Sequence, residues 1–218
     1  LKPQIKQVYV YNDYKLIVFI DPNPENPRNM VTFGNIIIFN QPENCPPLGD
    51  PHSFKDEMEM LAYLSYKVLS FDEIAKILFW AAHTIPTHDE FIEVIINRLI
   101  SSGRVEILPV YLTENGGLQL IPLEDKKAYF NRAGWMFVSL DEPLPLLPAK
   151  KALEMELTVY NMYLAGEVYG YIITRGHSNP KVVAEGRNIY TNCPEKIVEI
   201  IPDEYKFIVE ATTKGVEH

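Results

Sequence analysis

Apolar and polar positions alternate in short runs at a spacing of two, broken by longer blocks with a spacing near four. Residues 6–12 and 15–20 are rich in Val, Ile, Tyr and Phe, and Asn12-Asp13 supplies a turn, so the pattern predicts a β-hairpin. The proline cluster at 22–27 is incompatible with helix or a central strand. Residues 34–39 then form an apolar run that predicts a buried strand. Pro42, Pro46, Pro47 and Pro51 keep the chain irregular as far as His52.

A helical block follows. Ser53 is the expected N-cap, with Asp56 and Glu57 in the first turn, where the helix dipole favours acids. Met58, Leu61, Leu64 and Val68 recur at helical spacing over 54–69. A second helix is expected over 71–82, with Phe71, Ile74, Leu78 and Ala81 on one face, and Pro86 ends it. Thr87 caps a third, with Glu90 at the capping-box position and Phe91, Val94, Ile95 and Leu99 apolar, up to Gly103. Next come a hairpin of 104–112 and 117–122 turning at Asn115-Gly116, a strand at 134–140 and a proline-rich spacer at 143–148. A helix at 149–165 stops at Gly166, and a hairpin of 167–174 and 180–185 follows. Two apolar runs, 197–201 and 205–211, are expected to finish the sheet.

This order predicts an α+β fold with a mostly antiparallel sheet. Residues 1–52 and 104–218 form the sheet domain with one packed helix, and 53–103 form a helical insertion. The helices 71–82 and 88–102 with the hairpin 104–122 have the order of a winged helix, which would make 88–102 a recognition helix. Its exposed residues include His88, Asp89, Glu90, Glu93, Asn97 and Arg98, so its first turn, with Asp89 and Glu90, is acidic where it would meet phosphate, and a helical pair packed on the sheet or on a protein is favoured.

Composition narrows the class. The 218 residues are 47% hydrophobic and 22% charged, as in an ordinary globular protein that can bury a core. The net charge of −9 opposes stable nucleic-acid binding. Cys45 and Cys193 provide neither a disulfide framework nor a zinc pattern. No apolar run reaches membrane-spanning length and no leader pattern starts at Leu1, so a cytoplasmic protein without membrane contact is expected. Leu1 in place of Met is compatible with a trimmed chain, and Val216-Glu217-His218 with the start of a tag. Glycine-rich nucleotide loops, the Gly-x-Ser-x-Gly elbow and His-Glu-x-x-His are all missing. No metal or cofactor is expected, and an enzyme is the less favoured class.

The candidate chemistry lies between Asp21 and His52. Asp21, Glu25, Asp50 and His52 sit on two turn-rich segments flanking one strand, where they could converge on a divalent metal or act as acid and base. Arg28 could hold a phosphate or carboxylate through two bonds. The competing and favoured reading is structural. There Asp21 and Asp50 fix turns, Arg28 pairs with Glu25 or Asp21, and His52 caps the following helix. Tyr160, Tyr163, Tyr169 and Tyr171 straddle a helix end and a strand. They suit either a protein interface or packing of that helix on the sheet, the latter favoured. His83 and His88, with Pro86 between them, make a poor zinc pair.

Several segments resemble a family of small proteins encoded by phages and plasmids, without an assigned reaction. Pro27-Arg28, Gly49-Asp50-Pro51-His52, the strand Leu108-Pro109-Val110-Tyr111-Leu112 and Gly134-Trp135-Met136-Phe137-Val138 carry the resemblance. So does the helix end with Tyr160, Tyr163-Leu164, Gly166 and Val168-Tyr169-Gly170. Where that family has aromatic-His-Arg, this chain has Phe39-Asn40-Gln41, one histidine and one arginine fewer for any shared site. The resemblance implies a mobile-element origin and a fold, not a mechanism; with the acidity, the tyrosines and the absent catalytic motifs it is compatible with a binding role inside a host cell, the favoured reading. The partner would be a host or phage protein, with a component of host defence one target; Arg28, Tyr160, Tyr163 and Tyr169 are the expected contacts. The alternatives are a metal-assisted hydrolase or nuclease using Asp21, Asp50 and His52, and a winged-helix DNA-binding protein. Oligomeric state is left open.

Overall fold

A computed structural model describes residues 3–41, 43, 46–112, 118–120, 132–141 and 147–214; the expected turn at Asn115-Gly116 and most of the spacer 143–148 lie outside the described residues. The fold is α+β, with two antiparallel sheets of four strands. Contacts divide the chain into two compact units, Leu1–Asn29 with Val159–His218, and Met30–Thr158.

The first unit is built on the sheet β1-β2-β7-β8. Strands β1 (Gln4–Tyr11) and β2 (Tyr14–Ile20) form the expected hairpin, with Asn12 at φ 52° in the turn. Asparagine tolerates that left-handed backbone better than most residues. Strand β2 pairs with β7 (Val168–Arg175), which pairs in turn with β8 (Lys181–Tyr190). Leu16, Val18, Tyr171 and Ile173 bury one face of this sheet.

The last two apolar runs correct the sequence reading. They are helices, α5 (Ile197–Ile200) and α6 (Phe207–Lys214), not strands. Short apolar runs do not reveal their period. Here Ile197 and Ile201 stand four apart and are buried with Ile208 against the sheet. Phe207 of α6 meets Tyr14 edge-on, with ring centroids 5.4 Å apart.

The second unit holds the sheet β3-β6-β4-β5, formed by β3 (Asn35–Ile38), β4 (Val105–Leu112), β5 (Leu118–Leu120) and β6 (Arg132–Ser139). Gly134 is required where β3 crosses β6, because a Cβ there would collide with the Ile37 carbonyl. Strand β4 lies between β6 and β5 with almost every side chain buried, so it is an interior strand rather than a wing.

Helices α1 (Glu57–Val68), α2 (Phe71–Thr84) and α3 (His88–Ser101) belong to this unit. Met60, Leu61 and Leu64 of α1 and Ile92, Ile96 and Leu99 of α3 share one core with Ile37, Ile107, Trp135 and Phe137 of the sheet. The partition into a sheet domain and a 53–103 insertion therefore does not describe the molecule. The helices need that sheet face to bury their apolar stripes. The cap of α1 is Asp56, which accepts from the Glu59 amide at 2.9 Å, and not Ser53. Ser70 and Thr87 head complete capping boxes with Glu73 and Glu90. Helix α4 (Ala149–Leu164) spans the division between the units, and Gly166 follows its end.

Candidate functional site

Asp21 belongs to the first unit, and Asp50 and His52 to the second. Each is engaged with backbone of its own unit. Asp21 is 3% exposed. Its carboxylate accepts from the Asn23 amide at 3.1 Å and the Asn188 amide at 3.2 Å, and Arg187 stands 3.9 Å away. The Glu25 amide donates to Asn188 Oδ1 at 2.8 Å, and the Tyr190 hydroxyl donates to the Glu25 carbonyl at 2.6 Å. Burial, aided by the charge of Glu25, pushes the Tyr190 phenol above its usual range. These bonds pin the proline-rich turn to β8, where Asn188 itself adopts φ 56°. Arg28 sits in a single 3-10 turn, Pro27–Asn29, with its amide bonded to Asn26 Oδ1.

Asp50 and His52 form a clamp along the free edge of β3. The Ile36 amide donates to Asp50 Oδ2 at 2.8 Å, and the Asp50 amide donates back to the Ile36 carbonyl at 2.7 Å. Two residues on, His52 Nε2 donates to the Ile38 carbonyl at 3.2 Å. Gly49 makes the approach possible: it stands at φ 75°, and a Cβ would lie 2.6 Å from the Ile36 carbonyl oxygen. The Gly-Asp-x-His element thus satisfies outward-facing backbone groups of a strand. Asp50 is thus structural, but it holds a strand edge 14 residues away and not the turn expected of it, and His52 caps this edge and not the helix start. The His52 ring lies against Phe39 and Phe54 at 5.3 and 5.9 Å, and its Nδ1 is buried without a hydrogen-bond partner among the described residues. It also borders a 580 Å³ cleft with Tyr63, Lys67 and Asp141.

Tyr160 is 1% exposed and Tyr169 7%, so both are packing residues and not contact residues. Tyr163 is half-buried, its ring stacked on Tyr160 at 6.3 Å. Burial raises the pKa of Tyr169 and Tyr171. His83 donates from Nδ1 to the Phe79 carbonyl at 2.7 Å, its ring against Phe79. Among the described residues no group of three or more His, Cys, Asp or Glu is placed to hold a metal, and no helix is long and apolar enough to cross a membrane.

Two features of the second unit escape sequence reading. The first is an ion pair centred on Glu57. Arg132, only 8% exposed, grips its carboxylate through Nε at 2.6 Å and Nη2 at 2.7 Å. The Trp135 indole donates to the same carboxylate, and the guanidinium lies over the Trp135 ring. His88 Nε2 stands 3.9 Å away, and the group lines a 440 Å³ cavity with Asn40 and Lys55. With its carboxylate so occupied, Glu57 is poorly placed as a base. The two partners are far apart in sequence, and no local pattern joins them.

The second feature is apolar. Helices α1, α2 and α3 enclose a 210 Å³ groove lined by Met58, Ala62, Tyr66, Ile77, Phe91 and Ile95, among others. Tyr66 is 75% exposed. Helix α2 buries only Ile77 and leaves Phe71, Leu78 and Phe79 largely in solvent. Amphipathicity was visible in the chain, but not that its apolar side would stay uncovered.

Comparison of the chain with protein-family models, curated proteins and solved structures returns no match.

Proposed function

We propose that this chain is an accessory protein of a phage or other mobile element that binds a host protein and acts by covering part of its surface. The groove between α1, α2 and α3 is the observation that carries this reading. A concave apolar site with a largely exposed tyrosine at its side has the make-up of a binding hot spot. Its 210 Å³ suits an apolar side chain from a partner. The mobile-element origin draws on the sequence motifs. The hydrolase reading draws less support, since Asp50 and His52 spend hydrogen bonds on the edge of β3 and Asp21 on turn amides. The DNA-binding reading draws less support, since β4, the first strand of its expected wing, lies between β6 and β5 in a sheet.

The test is retention of host proteins on the immobilised chain. One dominant protein should be retained, and Tyr66→Ala should weaken its binding roughly tenfold or more. Ala62→Trp, which fills the groove from an exposed position, should abolish it. Retention indifferent to both substitutions would sink the proposal.

A further inference from the structure

Helix α1 lends Ala62 and Tyr66 to the groove, and Tyr63, Leu64 and Lys67 to the cleft of 580 Å³ that His52 borders. The two sites share no lining residue. The volume of the cleft lies within the roughly 300–1,000 Å³ of small-molecule sites. Its floor belongs to the core: Ile37, Leu64, Val105 and Phe137 are at most 9% exposed and pack in one cluster. A ligand resting there would not have to order that floor, which lowers the entropic cost of binding. One wall is aromatic. Phe54 and Tyr63 meet with ring centroids 5.4 Å apart, and Tyr63 is 43% exposed.

The charged groups around the cleft are unequally engaged. Asp141 is the only carboxylate among its described lining residues, and Arg104 clasps it through Nε at 3.3 Å and Nη2 at 2.8 Å. That guanidinium holds the Asp141 carboxyl below its usual range. His52 spends Nε2 on the Ile38 carbonyl and buries Nδ1, so it lends the cleft a ring rather than a polar group. Lys67 is different. It is the only lysine or arginine among the described lining residues, and none of the described carboxylates pairs with it. Its Nζ lies 4.6 Å from the Tyr63 ring centroid. An ammonium on a ring face still has protons to donate to a stronger acceptor.

We propose that this cleft binds a small aromatic carboxylate, its ring on Phe54, Tyr63 and Phe137 and its acid group on Lys67. One ammonium answers one carboxylate. A nucleotide or other polyphosphate would set several charges against a single lysine, above a floor that offers them no hydrogen bonds. A cationic ligand would meet Lys67, and the charge of Asp141 is already answered by Arg104. A neutral ring would leave the ammonium unused. The Ser139 hydroxyl, which accepts from the Asp141 amide at 3.4 Å, keeps a proton for a second bond to the ligand.

Titration of the isotope-labelled full chain with β-naphthoate, followed through amide chemical shifts, tests this. The amides of Tyr63, Lys67 and Ser139 should shift together and saturate with a Kd of about 1 mM or tighter. The neutral β-naphthol, and acetate, which has no ring, should each bind at least about fivefold more weakly. Lys67→Met, at an exposed position, should weaken naphthoate binding about tenfold with unchanged circular dichroism, and Lys67→Arg should restore it. Ala62→Trp, which fills the groove, should leave naphthoate binding as it was. The absence of saturating shifts at these amides, equal binding of β-naphthol, or indifference to Lys67→Met would each overturn the proposal. Shifts confined to the lining of the groove would overturn it as well, and would leave the case for a protein partner there intact.

Discussion

Glu57 is a heavily committed ionisable side chain of the second unit. One carboxylate satisfies two guanidinium bonds and an indole while its own exposure is 17%. Coulomb attraction repays such burial only while both charges are present. Glu57→Gln keeps the shape and removes the charge, leaving Arg132 in a site built for a counter-ion. It should destabilise the chain by about 3 kcal/mol. Urea unfolding followed by far-ultraviolet circular dichroism would check this, and a loss below a few tenths would show the pair to be solvent-screened. Replacing both partners by apolar residues should cost less than the sum of the single changes. In the sequence, Glu57 reads only as an acid in the first turn of a helix. Its partner lies 75 residues away, and no spacing rule reaches that far.

At the scale of elements, local chemistry was legible wherever one residue's choice fixed its neighbours. Thr87 with Glu90, the turn at Asn12-Asp13 and the stop at Gly166 all stand where the sequence put them. Ser53 was wrong because Asp56 also caps and lies nearer the first helical turn. Caps make separable predictions. Asp56→Ala, Ser70→Ala and Thr87→Ala should each cost about 1 kcal/mol, by loss of an acceptor for a first-turn amide. Ser53→Ala should change stability by no more than a few tenths, because Ser53 lies outside the helix. Thermal unfolding of the four variants separates the two outcomes. The runs 197–201 and 205–211 failed for a different reason: four or five apolar residues do not show their period, and only the sheet beneath decided that they would coil.

At the scale of the whole molecule, the alternating runs predicted antiparallel strands but not their division into two sheets. Pairing of β2 with β7, as Tyr14 with Arg175, joins residues from opposite ends of the chain, and periodicity carries no partner labels. Asp21 and Asp50 look like neighbours across one strand in the sequence, and contacts assign them to different units. The clamp on β3 has a wider consequence. Ile36-Ile37-Ile38-Phe39 is apolar and largely β-branched, the composition that seeds fibrils when a bare strand edge recruits a second chain. Asp50 and His52 act there as gatekeepers, occupying backbone groups that an incoming strand would otherwise claim. Asp50→Ala should therefore raise the rate of thioflavin-positive aggregation well before it alters the melting temperature in proportion. Equal aggregation of the two chains under mild heating would refute that role. The signature that resembled an active site would then matter most to the cell as a guard on solubility during synthesis, when β3 is made long before β6 can cover its other edge.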